Sequence, residues 1–187
     1  LAAAVCALGT LSAEAGTTAN FDDLASPPAL DSGTGLEFAN GGSLVYAGAV
    51  WDSHFTVVGD EYRVDPLAGP LFGLPHSPHY FATNGDGVNG LVISTAQVLK
   101  GAWFGRNEYY GFGGGADQVT VVALAGELEL VSVTAELADA TDGQPEPLMF
   151  VDTSIFAGYT GITGYRIDRH ATGEFNGNWV ADDFVFA

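Results

Sequence analysis

The sequence predicts an all-β protein: a single antiparallel β-sandwich of jelly-roll type, with about nine strands and negligible helix outside an amino-terminal leader. Three observations predict it. Short runs rich in Val, Thr, Ile and aromatic residues recur from residue 17 to the end of the chain. The 26 glycines and eight prolines fall mostly between those runs, in "DSGTG", "NGDGVNG", "GFGGGAD" and "TDGQPEP". No segment beyond the leader sustains a helical period over ten residues or more.

The elements follow in order. Residues 1–15, "LAAAVCALGTLSAEA", hold an apolar run of about ten residues that ends in a small-residue pattern, as a secretory signal peptide does. The run is too short to span a bilayer, so the expectation is cleavage after Ala15, or retention as a segment packed on the chain or on a neighbour. Residues 16–187 then form one domain. Strands are expected at 37–38, 43–51, 54–59, 62–65, 90–95, 101–105, 118–126, 127–137, 161–169 and 179–187. Gly126 divides two strand-like runs, as a hairpin requires, and "NGDGVNG" reads as a tight hairpin turn.

Composition narrows the function classes. Charged residues are 15% of the chain, and 23 acids against five bases leave a formal charge of −18. Such a field repels phosphate backbones and anionic headgroups, which argues against nucleic-acid binding and against membrane insertion by the mature domain. It attracts cations, and it keeps a lysine-poor surface soluble outside the cell. The single cysteine, Cys6, lies in the leader, so the domain has no disulfide framework and no cysteine-based metal site.

Two constellations carry the chemistry. The first is a pair of acidic doublets, Asp22-Asp23 in "NFDDLA" and Asp182-Asp183 in "WVADDFVFA". Strand alternation puts Asp23 on a face with Phe21, and Asp182 on a face with Phe184 and Phe186. Jelly rolls often pair their first and last strands, and two inward carboxylates brought together need a hard cation between them. The doublets are therefore expected to hold a structural calcium ion. The second is aromatic: Trp51, then Trp103, Arg106, Asn107, Tyr109 and Tyr110 in "AWFGRNEYYGF". Flat rings beside planar polar groups suit a sugar, whose C–H faces stack and whose hydroxyls hydrogen-bond. His76 and His79 in "HSPH" are spaced for a transition metal, although the intervening Pro78 and the lack of a third ligand weaken that reading. His170 has no catalytic partner near it in the sequence.

"NFDDL", "GAWF", "VTVVALAGELELVSVTAEL", "FVDTSIFAGYTGITGYRI" and the final "WVADDFVF" resemble the secreted bacterial β-sandwich proteins that carry a PEP-CTERM sorting tail. Their layout is also similar to MAM-like and carbohydrate-binding-module jelly rolls, in which a final "DD" strand contributes to a structural cation site. The tail itself is not present before Ala187. The resemblance implies an exported domain of the cell surface or extracellular matrix.

The functional expectation is a secreted, non-catalytic β-sandwich that binds a polysaccharide or matrix glycan. One alternative is a subunit of an extracellular filament or surface layer, self-associating through its amino-terminal segment. The other is a glycan-active hydrolase or lyase. The chain has no G-x-S-x-G, metal-hydrolase or phosphate-loop motif to support an enzyme.

Overall fold

The computed structural model describes residues 16–24, 36–37, 43–59, 64–65, 69–70, 76–84, 87–107, 115–138, 147–172 and 177–187. The strands are β1 (Thr17–Ala19), β2 (Leu36–Glu37), β3 (Leu44–Tyr46), β4 (Ala49–Trp51), β5 (Phe55–Gly59), β6 (Val64–Asp65) and β7 (Gly69–Pro70). They continue with β8 (Tyr80–Asn84), β9 (Leu91–Ser94), β10 (Leu99–Arg106), β11 (Gln118–Ala125), β12 (Leu128–Glu136), β13 (Met149–Asp152), β14 (Gly164–His170) and β15 (Trp179–Phe186). A five-residue 3₁₀ turn, Ser154–Gly158, follows β13.

Two antiparallel sheets pack face to face. One has seven strands in the order β13-β10-β15-β8-β5-β2, with β1 also paired to β15; the other has six in the order β12-β11-β14-β9-β4-β3. β6 and β7 form a separate two-stranded ribbon. The first and last strands are antiparallel neighbours, Thr17 opposite Phe186 and Ala19 opposite Phe184. The β-sandwich read from strand alternation is the architecture found.

The core lies between the sheets and is built on rings. Trp51 from the six-stranded sheet meets Phe55, Phe184 and Phe186 of the other sheet edge-on, at 5.2, 5.0 and 6.4 Å between centroids. Edge-to-face contacts of this kind add about 0.5–1.5 kcal/mol each beyond burial. A polar tie crosses the same space. The Tyr165 hydroxyl on β14 accepts the Leu99 N–H of β10 at 2.9 Å and donates to the Gln97 carbonyl at 2.8 Å. Burial holds the Tyr165 phenol above its ordinary value.

Several local readings change. The run 43–51 is two strands, because Ala47 (φ 51°) and Gly48 (φ 73°) turn left-handed and close a two-residue hairpin. The Gly126 hairpin is as expected, with φ 63° at the glycine. "NGDGVNG" is no hairpin: it leaves β8 in one sheet and enters β9 in the other. β8, β1 and β13 were not among the expected strands.

Candidate functional site

The last strand carries an irregularity that decides the site. Trp103 stands opposite Asp182 and Gly101 opposite Val185, so β15 holds one more residue than β10 between those pairs. The surplus is accommodated at Asp183, whose φ is 47°. A bulge of this kind shifts side-chain alternation by one. Trp179 and Ala181 face the core before it, and Phe184 and Phe186 face the core after it.

Asp182 therefore does not share a face with Phe184, as strict alternation predicts. It lies on the outer face of the seven-stranded sheet, beside Trp103, and is still fully buried at 0% exposure. The reason is a gap along β15. Val180 and Ala181 pair with β8, residues 184–186 pair with β1, and Asp182 falls between the two. The segment 76–79 sits over that gap.

Donors surround the carboxylate. Asp182 Oδ2 accepts the backbone N–H groups of His76 (2.8 Å) and Ser77 (2.7 Å) and the Ser77 hydroxyl (2.9 Å). Its Oδ1 accepts the Asp183 N–H at 2.7 Å. Burial still raises the Asp182 carboxyl to about 6; the Ser77 donors oppose that rise and the neighbouring Asp183 adds to it.

The other acids secure the same corner. Asp22 Oδ1 accepts the N–H groups of His79 and Tyr80, each at 3.0 Å, so both doublets grip the 76–80 segment. Asp183 pairs with His76 Nδ1 at 2.5 Å. Asp23 is exposed rather than aligned with Phe21, because β1 ends at Ala19 and Phe21 turns left-handed at φ 63°. Its Oδ1 accepts the Tyr46 hydroxyl at 2.6 Å, and burial together with this contact holds the Tyr46 phenol above its ordinary range.

This arrangement bears on a calcium ion. Three hydrogens point at Asp182 Oδ2 and one at Oδ1, so its charge is already met by donors of the chain. Among the described residues no group of three His, Cys, Asp or Glu side chains is placed to hold a metal. Asp22 does keep one buried oxygen, Oδ2, with no hydrogen-bond partner among the described residues.

Above Asp182 lies a ring array. The His76 imidazole stacks on the Trp103 indole with centroids 3.7 Å apart and planes within 14°. Phe150 meets Trp103 at 5.6 Å and 60°, and Phe150 is 42% exposed. Glycine is required at 101, since a Cβ there would collide with the Phe150 ring and the Val151 carbonyl. His76 and Phe150 were not among the expected ligand residues. Phe150 comes to Trp103 through the β10–β13 ladder, where the two stand opposite each other, and His76 through its bonds to Asp182 and Asp183, pairings that spacing does not reveal.

The remaining expected ligand residues divide. Trp51 is wholly buried in the core and Asn107 is 1% exposed with its amide toward Thr83, so neither can contact a ligand. Arg106 ends β10, half-buried. Tyr109 and Tyr110 lie outside the described residues. The His76/His79 reading also changes, since His76 is turned to Asp183 and Trp103. His170 does have a partner, Asp117, at 2.8 Å, and Asp117 Oδ2 also takes the Thr172 N–H. Fifty-three residues separate the pair, beyond what local spacing can show.

No family model matches the chain, and no curated protein matches it. Among solved structures it is similar to a chain described as the K2 cleaved adhesin domain of Lys-gingipain (Kgp). The identity is 15% and the TM-score 0.46, over 92% of this chain and 98% of that one. A likeness at that level transfers no binding or activity.

Proposed function

We propose that this chain is an exported, non-catalytic β-sandwich that binds a glycan on the outer face of its seven-stranded sheet. The observation that carries the reading is the exposed ring array His76–Trp103–Phe150, with the Asp183 carboxylate beside it. Flat apolar rings next to fixed polar groups provide the two contacts a pyranose makes, C–H stacking and hydroxyl hydrogen bonding. Because His76 covers one face of Trp103, the surfaces offered outward are those of His76 and Phe150.

Retention on insoluble polysaccharides, with neutral and acidic polymers in parallel, tests this. The parent is expected to be retained, and Phe150→Ala to weaken retention by about 2–10-fold, the equivalent of one lost ring contact. A parent that elutes with the void on every polymer would end the glycan reading.

A structural calcium ion is the second part of the proposal. Its support is the buried Asp22 Oδ2, which has no hydrogen-bond partner among the described residues and is the atom on which the proposed site centres. Chelation is expected to lower the melting temperature of the parent and to leave Asp22→Asn unchanged. Equal melting curves with and without chelator in the parent would remove the ion.

A further inference from the structure

The strands that end the two sheet paths differ in length, and β1, which pairs only with β15, has three residues. β2, β3 and β13 have two, three and four residues, whereas β12 has nine. Natural sheets blunt an edge by keeping it short, charged or bent, because unpaired N–H and C=O groups recruit another strand. β12 carries a bulge at Leu130, where its register on β11 shifts, and charge flanks it, Glu127 and Glu129 on one side and Glu136 on the other. Between them "VSVTA", 131–135, is uncharged and rich in β-branched residues.

The direction of the free backbone groups can be fixed. The Leu137 N–H donates to the Asp117 carbonyl at 2.8 Å, and Gln118 stands opposite Glu136. Alternation along an antiparallel ladder then turns the N–H and C=O groups of Val131, Val133 and Ala135 toward β11. Those of Ser132, Thr134 and Glu136 point away from the sheet, and all three residues are exposed. Val131, Val133 and Ala135 pack on the core but are only partly buried, so the sandwich is incompletely covered at this edge.

We propose that β12 is a dimer interface, on which a second copy of the chain adds antiparallel through its own β12 across a two-fold axis. With Val133 opposite its symmetry mate, Ser132 and Thr134 exchange backbone hydrogen bonds with Thr134 and Ser132 of the second copy. Val131 then faces Ala135, and the half-covered aliphatic row continues across the axis. Within 131–135, between the bulge at Leu130 and Glu136, no acid faces an acid in this register. The segment is self-complementary, which a foreign strand would have no reason to match. With one long edge per chain among the described residues, the assembly closes at two copies rather than propagating.

The opposing force is charge, −18 on each copy. Association should therefore tighten with salt, by about tenfold as the screening length falls from about 10 Å at 0.1 M to about 3 Å at 1 M. Sedimentation equilibrium of the full chain across that range reads it. Thr134→Pro removes an N–H that points outward and no bond to β11, and is expected to give monomers at every salt concentration. Val133→Cys in a Cys6→Ser background is expected to cross-link to dimers under mild oxidation, and Thr134→Cys to cross-link far less. A parent that stays monomeric in 1 M salt, with Val133→Cys uncross-linked, overturns the proposal even if Thr134→Pro fails to fold.

Discussion

On the outer face of the seven-stranded sheet one aspartate is fully buried and accepts four hydrogen bonds, whereas on the outer face of the six-stranded sheet the acids stay in the open. There Arg166 gathers Asp168 at 2.7 Å and Glu129 at 2.6 Å, with side chains 29%, 26% and 58% exposed. The two carboxylates hold the Arg166 guanidinium above its ordinary value. Beside it Thr120 and Thr134 share a hydroxyl contact at 2.8 Å, and Gln118 donates to Glu136 at 2.6 Å. Water can replace every one of those contacts. It cannot reach Asp182, so the donors of 76–77 are obligatory there, and the buried carboxylate leads the three acids that hold that segment. The difference teaches that charge count is a poor guide in this chain: one acid organises a site while a three-membered ion pair decorates a surface.

Four changes would break or sharpen that contrast, in order of expected size. Asp182→Ala strands buried donors from His76, Ser77 and Asp183, and should cost about 3–5 kcal/mol, a fall in melting temperature of roughly 6–20 °C. A fall of a degree or two would mean that water already enters the corner. Next comes pH. The Asp182 carboxyl lies at about 6 in the fold against 3.8 for an ordinary aspartate, so the folded protein holds this proton more tightly than the unfolded chain. Its contribution is full below the unfolded value and is lost as pH rises through about 6, amounting to about 3 kcal/mol between those limits. The melting temperature of the parent, measured relative to Asp182→Asn, should therefore decline between about pH 4 and pH 6.5. A flat difference would show that the donors outweigh burial.

Ser77→Ala keeps the backbone donors and removes one hydroxyl, for a loss of about 1.5–3 kcal/mol in chemical denaturation. An unchanged midpoint would place that hydroxyl on the carbonyl of Asn20 or Tyr80 instead, both of which are also in reach at 3.3 and 3.4 Å. The smallest effect belongs to the other face. Glu129→Gln should cost no more than about 1 kcal/mol, because exposed pairs are screened. A larger loss would put Glu129 in a role that its exposure does not predict.

Much of the fold was legible. β-branched runs broken by glycine announce a sandwich, and the Gly126 hairpin falls where its glycine stands. The pairing of first and last strands was also expected. β8 was less legible, because "YFATN" follows two histidines and a proline and carries no alternation: four of its five residues are buried. Of the aromatic residues expected at a binding surface, Trp103 lies on the outer face of its sheet and Trp51 is buried in the core. Each stands in a short apolar strand run, and only the sheet partners decide which side of each becomes interior.

Sequence by itself determined composition-level properties: an all-β chain, an acidic exterior, and two acidic doublets whose carboxylates need partners. Those follow from local propensity and from the cost of burying charge, which are properties of residues taken singly or in short runs. Only the tertiary structure decided what the partners are. A one-residue bulge at Asp183 turns Asp182 from the core to the outer face, and a gap between two strands makes room for the segment 76–79 to supply the donors. The physical reason is that alternation has period two, so one extra residue reverses every side chain beyond it. Such a surplus is fixed by the register of a neighbouring strand about eighty residues away in the chain, and local pattern contains no trace of it.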